Sequence, residues 1–275
     1  MIHANVMIKN ESLLLPHVYK FWKDYPIDHW VFYNDNSTDN TAEVILDLFG
    51  TRATILNDRR ETFSESHNRS RMLEFSREQE ARFVISLDTD ELLSANLAAN
   101  LHKVLHHHQQ YDVHYFWFNV CNNSVSNLRN DPLYKNNFRT FILPMDSTGK
   151  FDLNQYKYHT PRTPPINLPK VATNDLGFIH LQAINRRFYA LKQLWYKHFE
   201  HITWNHSVEE LNNKYDPVVN QLNFNEIATP SAIIEGIDFD ASIYDEIEAH
   251  MGYKEYIQEN LVPELVTFGE EYLND

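Results

Sequence analysis

Over residues 1–95 one pattern recurs: a short apolar run, a polar cluster, then a stretch with apolar residues at helical spacing. Residues 2–8 read as a strand and 11–22 as a helix, where Pro16 is tolerable only near the first turn. Residues 30–33 form a second strand and 34–39 a loop. A helix follows over 40–49, with Asn40 as cap, Glu43 at the capping-box position and Gly50 as its stop. Residues 53–56 read as a third strand, 64–77 as a third helix and 82–87 as a fourth, buried strand. A chain that alternates in this way is expected to be α/β, with a mainly parallel sheet covered by helices on both faces.

The regularity falls away after residue 91. Residues 111–120 and 138–143 read as strands, the proline-rich stretch 144–169 as a long surface loop, 177–181 as a last strand and 186–201 as a helix. Beyond Asn205 the chain reads as helical and acidic. From 236 to 275 there are eleven Asp or Glu against a single Lys or Arg, Lys254. With a net charge of -14, the chain is a poor match for phosphate backbones or anionic lipid, so no nucleic-acid partner is expected. Apolar residues make up 43% of the sequence without any run of about 18 in succession, so no transmembrane segment is expected. Cys121 is the one cysteine, and with no basic-plus-apolar leader at the start the expected location is the cytoplasm.

In an open α/β sheet, ligands bind at the carboxyl ends of the strands. Three polar clusters fall there: Lys9-Asn10-Glu11, Asn34-Asp35-Asn36 and Asp88-Thr89-Asp90-Glu91. Carboxylates two apart at a strand end can face one cation, and hard oxygen donors suit Mg2+ or Mn2+ bridging a diphosphate. The competing reading is that one of these acids caps the next helix while the others are solvated.

The three clusters in this order, with 31–41 reading Val-Phe-Tyr-Asn-Asp-Asn-Ser-Thr-Asp-Asn-Thr and 85–91 reading Ile-Ser-Leu-Asp-Thr-Asp-Glu, resemble the family 2 glycosyltransferases. The likeness is to the branch with a Lys-Asn-Glu signature, and it is strong over residues 1–95. It implies a GT-A fold in which Lys9, Asn10, Glu11, Asp35, Asn68 and Arg71 hold the nucleotide. Asp88 would reach ribose and cation, and Asp88, Asp90 and His180 would form a Mn2+ or Mg2+ site. The implied activity is inverting transfer of a sugar from a nucleotide-sugar, with UDP-sugar favoured, to a hydroxyl on a glycan or other acceptor. Asp175 is then the expected general base, with Asp152 and Glu91 as its rivals. The implied organisation is a catalytic domain over 1–204, with a nucleotide half at 1–95 and an acceptor half at 96–204, followed by an acidic helical appendage at 205–275.

Where the family usually has Gly between Asp and Ser, this chain has Asn36, which tolerates the left-handed backbone well. Arg186, Arg187, Lys192 and Lys197 read either as contacts for diphosphate or acceptor or simply as the basic outer face of a helix. Tyr115, Trp117, Tyr156, Tyr158 and Trp204 are expected on the acceptor side, where sugar faces stack on rings. His102, His106, His107, His108 and His114 read as exposed and helix-like rather than as a metal site. Ile243, Tyr244, Ile247 and Met251 form a helical stripe that must pack on the chain itself or on a second copy, giving a possible homo-oligomer. Two alternatives are a nucleotide-sugar-binding protein without turnover and a haloacid-dehalogenase-like phosphohydrolase. The second fits poorly, because Leu92 stands where that motif wants Thr or Val and three β/α units precede the acids.

Overall fold

In the computed structural model, residues 1–58, 64–132, 134, 136–151, 161–220 and 226–274 are described. The opening alternation appears as β1 (Ile2–Ile8), α1 (Leu15–Trp22), β2 (His29–Asn34), α2 (Thr41–Phe49), β3 (Ala53–Leu56), α3 (Glu65–Glu78) and β4 (Phe83–Asp88). Then come β5 (Glu91–Leu93), α4 (Ala95–His107), β6 (Asp112–Cys121), β7 (Ser124–Arg129), β8 (Phe138–Arg139), β9 (Ile142–Pro144) and β10 (Lys170–His180). The remainder is α5 (Arg186–Trp204), α6 (Val208–Asn220), β11 (Glu226–Ala228), α7 (Ser231–Ile234), α8 (Ile243–Met251), α9 (Tyr253–Glu259) and α10 (Glu270–Leu273).

Two compact units share these elements. The first is Met1–Trp117, Phe138–Ile179 and Ser231–Ile237, and the second is Phe118–Asn137, His180–Pro230 and Asp238–Asp275. The first unit is the expected α/β body. Its main sheet has the order β3-β2-β1-β4-β9, parallel except for the antiparallel edge strand β9. Ala4, Val6, Val31, Phe32, Ile85 and Leu87 are almost wholly buried, as strands covered on both faces require. Trp22 of α1 stacks on Trp30 of β2 at 4.9 Å and donates its indole N–H to the carbonyl of Glu91 at 3.0 Å, so one side chain ties helix, sheet and acidic turn together.

Several local expectations are corrected. Asn40 precedes α2 without a side-chain cap; Asp39 takes that role, accepting from the Thr41 N–H at 3.0 Å. The strand expected over 138–143 is two strands, because Phe138 pairs with Phe116 of β6 while Ile142 pairs with Ile85 of β4. The expected last strand begins seven residues earlier, at Lys170. His108 is buried, not exposed: its Nε2 lies 2.6 Å from the Tyr115 hydroxyl, and burial drops its pKa to about 4.

In the second unit the end of β6 pairs with β7, and β7 with β11, a strand in a region expected to be helical. Long α5 is its spine. Lys197, expected on an outer basic face, is turned inward and reaches Asp216 at 2.7 Å and Thr267 at 2.8 Å. The stripe on α8 is covered within the chain: Tyr244 packs on Phe188 of α5 at 4.7 Å, with Ile243 and Ile247 buried beside it.

Candidate functional site

The strand order places β1 between β2 and β4, so successive connections leave β1 in opposite directions and open a crevice at the carboxyl ends there. Register brings those ends level, with Ile8 opposite Asn34 and Met7 opposite Asp88. All three polar clusters therefore meet on one edge of the sheet.

The loops after β1 and β2 are laced to each other. Asn10 donates its N–H to Ser37 Oγ at 3.0 Å and accepts from the Thr38 N–H at 2.8 Å. Glu11 donates its N–H to Thr41 Oγ1 at 2.8 Å, and Ser12 donates to Asp39 at 3.3 Å. Asn10 and Asn36 both hold φ of 54°, the left-handed backbone that Asn accepts at small cost, so the turn is kept without the glycine. Burial opposes the Asp39 charge, but hydrogen bonds from Thr41 and Ser12 outweigh it and bring the pKa down to about 2.

Asp35, nearly buried, lies 3.6 Å from Lys9 Nζ and accepts from buried Asn68 of α3 at 3.4 Å. Lys9, Asn10, Asp35 and Asn68 are thus brought together. Arg71 is not with them; it sits on the exposed side of α3 with Glu74 at 2.9 Å and Asp58 at 3.4 Å.

The buried arginine of α3 is Arg69, which the motif reading passed over. It holds Glu65 at 2.8 Å, Ser86 at 3.1 Å and Asp88 Oδ1 at 3.3 Å. Its i,i+4 spacing from Glu65 was the available sequence signal. A second unexpected residue is Arg162, from the proline-rich stretch. Its Nη2 lies 2.7 Å from both Asp88 Oδ2 and Glu91 Oε1, while its guanidinium faces Trp117 at 5.2 Å and Phe141 at 5.3 Å.

Burial would raise the Asp88 pKa, yet Arg162 and Arg69 hold it below the usual carboxylate range against the push of Asp90. Glu91 goes the other way. Complete burial, with Asp88 and Asp90 adding repulsion, lifts its pKa to about 8 despite Arg162. The Asp88 N–H donates to Glu91 Oε2 at 2.9 Å, fixing the turn that presents Asp90.

Among the described residues no group of three or more His, Cys, Asp or Glu is arranged to hold a metal. A cation bridged to a diphosphate needs only one or two protein carboxylates, the other ligands being phosphate and water oxygens. Asp88 and Asp90, all-oxygen donors close enough to repel each other, fit that requirement.

His180 ends β10 in the second unit, buried, with Nδ1 2.7 Å from Asn119 Oδ1. Asp175 is exposed on β10, where its carbonyl accepts from Asn96 at 2.6 Å. Asp152, Tyr156 and Tyr158 lie outside the described residues. Arg186 and Arg187 line a cavity of about 520 Å³ in the second unit, together with Asn185, Asp245 and Tyr272. No helix among the described residues is long and apolar enough to cross a membrane.

No family model matches the chain, and neither does any curated protein. Solved structures do overlay on it. TarS of S. aureus, also solved with UDP-GlcNAc and with UDP, is 10% identical with a TM-score of 0.49, over 96% of this chain and 50% of the other. This chain therefore spans about half of that TarS chain. HddC from Yersinia pseudotuberculosis is 10% identical with a TM-score of 0.43, over 69% of this chain and 97% of the other. Glucosyl-3-phosphoglycerate synthase from Mycobacterium tuberculosis, in complex with Mn2+, UDP and glucosyl-3-phosphoglycerate, is 14% identical with a TM-score of 0.34, over 42% and 44%. All three scores fall below 0.5, so a functional reading of this chain stands on its own residues.

Proposed function

We propose that this chain is a nucleotide-sugar-dependent glycosyltransferase that moves a sugar, from a UDP-sugar by preference, to a hydroxyl of a carbohydrate acceptor with inversion. The observation that carries the reading is the convergence of Asn10, Asp35, Asn68 and Asp88 on the crevice between β1 and its neighbours. That crevice is where doubly wound sheets take nucleotides.

In this reading Asn10, Glu11, Asp35 and Asn68 hold base and ribose. The interlaced loops keep them fixed before the ligand arrives, so little ordering is left to oppose binding. Asp88, held by Arg69, would reach the ribose, and Asp90 would be presented by the turn that Glu91 holds. A divalent cation on Asp88 and Asp90 would offset the charge that develops on the departing diphosphate. Asp175 is assigned the removal of the acceptor proton, with Asp152 as the rival.

The test is thermal denaturation and UDP titration of wild type and Asp90→Asn with and without Mn2+, since only a ligand that binds the native state raises its stability. Wild type is expected to bind UDP with Mn2+ and to hydrolyse a UDP-sugar slowly without acceptor, while Asp90→Asn keeps its fold and loses the Mn2+-dependent part of binding. The reading is wrong if UDP never stabilises the wild type, or if Asp90→Asn responds as wild type does.

A further inference from the structure

The acidic turn after β4 carries more charge compensation than a substrate-side cation would require. Asp88 has a guanidinium on each carboxylate oxygen, Arg69 at 3.3 Å on Oδ1 and Arg162 at 2.7 Å on Oδ2. The two arginines are held differently. Arg69 belongs to α3 and is also bound to Glu65 and Ser86, so it would stay in place if Asp88 were taken away. Arg162 lies outside any helix or strand, and it is held by contacts to Asp88 and Glu91, with the charge of Asp90 acting on it as well. Its Nη1 is buried and carries no hydrogen bond to any described residue. The guanidinium is thus well placed electrostatically and incompletely satisfied, which makes this contact exchangeable in a way that the Arg69 contact is not.

We propose that Arg162 is a built-in counter-cation of Asp88 and that a divalent cation and Arg162 compete for that carboxylate. The inference rests on the donor-site reading above. Two positive charges cannot both sit against Asp88 Oδ2 at contact distance, because like charges a few ångströms apart in a partly buried site repel strongly. Cation binding therefore requires Arg162 to give up Asp88. It can do so without losing its remaining contacts, since Glu91 Oε1 lies at the same 2.7 Å and Trp117 and Phe141 still face the guanidinium. Arg162 is in this sense a positioning residue: it keeps Asp88 ionised and oriented until the cation arrives, and it sets how tightly the cation is held.

The measurement is calorimetric titration of Mn2+ into the full chain, with and without UDP, for wild type, Arg162→Met and Arg162→Met/Asp88→Asn. Methionine keeps an apolar side chain against Trp117 and Phe141 and removes the charge. Competition predicts that Arg162→Met binds Mn2+ roughly tenfold more tightly than wild type, an ordinary coupling between sites, and that the gain vanishes in the double variant. It also predicts that Mn2+ raises the thermal midpoint of Arg162→Met more than that of wild type. Where Arg162→Met fails to fold, Arg162→Gln supplies the readout, because it removes the charge and keeps a polar end beside the carboxylates; tighter Mn2+ binding is again expected. Equal or weaker Mn2+ binding in a folded variant overturns the inference. A wild type that binds neither Mn2+ nor UDP speaks against the donor-site reading itself; the inference then stands if Arg162→Met acquires Mn2+ binding and falls if it does not.

Discussion

Asp175 stands exposed on β10, and Asn96 engages its backbone carbonyl rather than its carboxylate. A group left in water and pointed by a strand suits a base that meets a hydroxyl brought by another molecule. Asp175→Asn is expected to slow the chemical step by roughly 10²-fold, the scale of general-base loss, with UDP affinity little changed. A normal single-turnover rate in that variant, or the same loss in Asp152→Asn alone, removes Asp175 from the role. Asn10, Asp35 and Asp88 were legible in the sequence because each follows an apolar run whose carboxyl end must open on the crevice. Arg69 and Arg162 were not, since an ion pair between residues 74 positions apart, such as Arg162 with Asp88, leaves no local periodicity to read. Helical phase turns Arg69 inward toward Glu65 and Arg71 out to solvent, a difference that motif position alone does not carry.

At the scale of elements, β1 and the loop that ends α4 each bury an imidazole. His3 of β1 lies 3.1 Å from Ser76 Oγ, and burial, with His29 adding repulsion, drops its pKa to about 4; His108 is held equally low. Both rings stay neutral in the folded chain at pH values where the unfolded chain, with a histidine pKa near 6.5, takes up protons. Stability should thus be full above about pH 6.5 and fall as pH drops toward 4, because the unfolded state binds more protons across that window. Urea midpoints measured at pH 7.5, 6 and 5 test this, and His108→Gln should flatten the slope even as it lowers the midpoint at every pH. A slope of opposite sign would show that the buried rings are not the source.

The strands of the first sheet were legible because parallel strands covered on both faces read as unbroken apolar runs. The pieces missed were short or split between partners. Strand β5 is three residues long, and the 138–143 run pairs first with one sheet and then with the other, which the sequence pattern cannot express.

The whole molecule raises the question of what the segment after Asn205 does. Lys197 is fully buried between Asp216 and Thr267, and the α8 stripe covers Phe188 on α5. Ending the chain at Asn205 would remove both acceptors from that ammonium and bare an apolar helix face, a combination that costs several kcal/mol and promotes association. The truncated chain is expected to be insoluble or to lose cooperative unfolding; a soluble monomer with a sharp thermal transition would show that α5 does not need its cover. The α8 stripe had two possible destinations on paper, the chain itself or a second copy, and only the fold could choose.

The two compact units are interleaved along the chain, which passes from one to the other after Trp117, Asn137, Ile179, Pro230 and Ile237. A protease that cuts at one of these five passages severs no unit from its neighbour, because the other four still connect them. Neither unit is encoded by one uninterrupted stretch of gene. Exchanging the second unit with that of another protein would need five matched junctions, so this architecture is more open to change by substitution within a unit than by recombination of whole units.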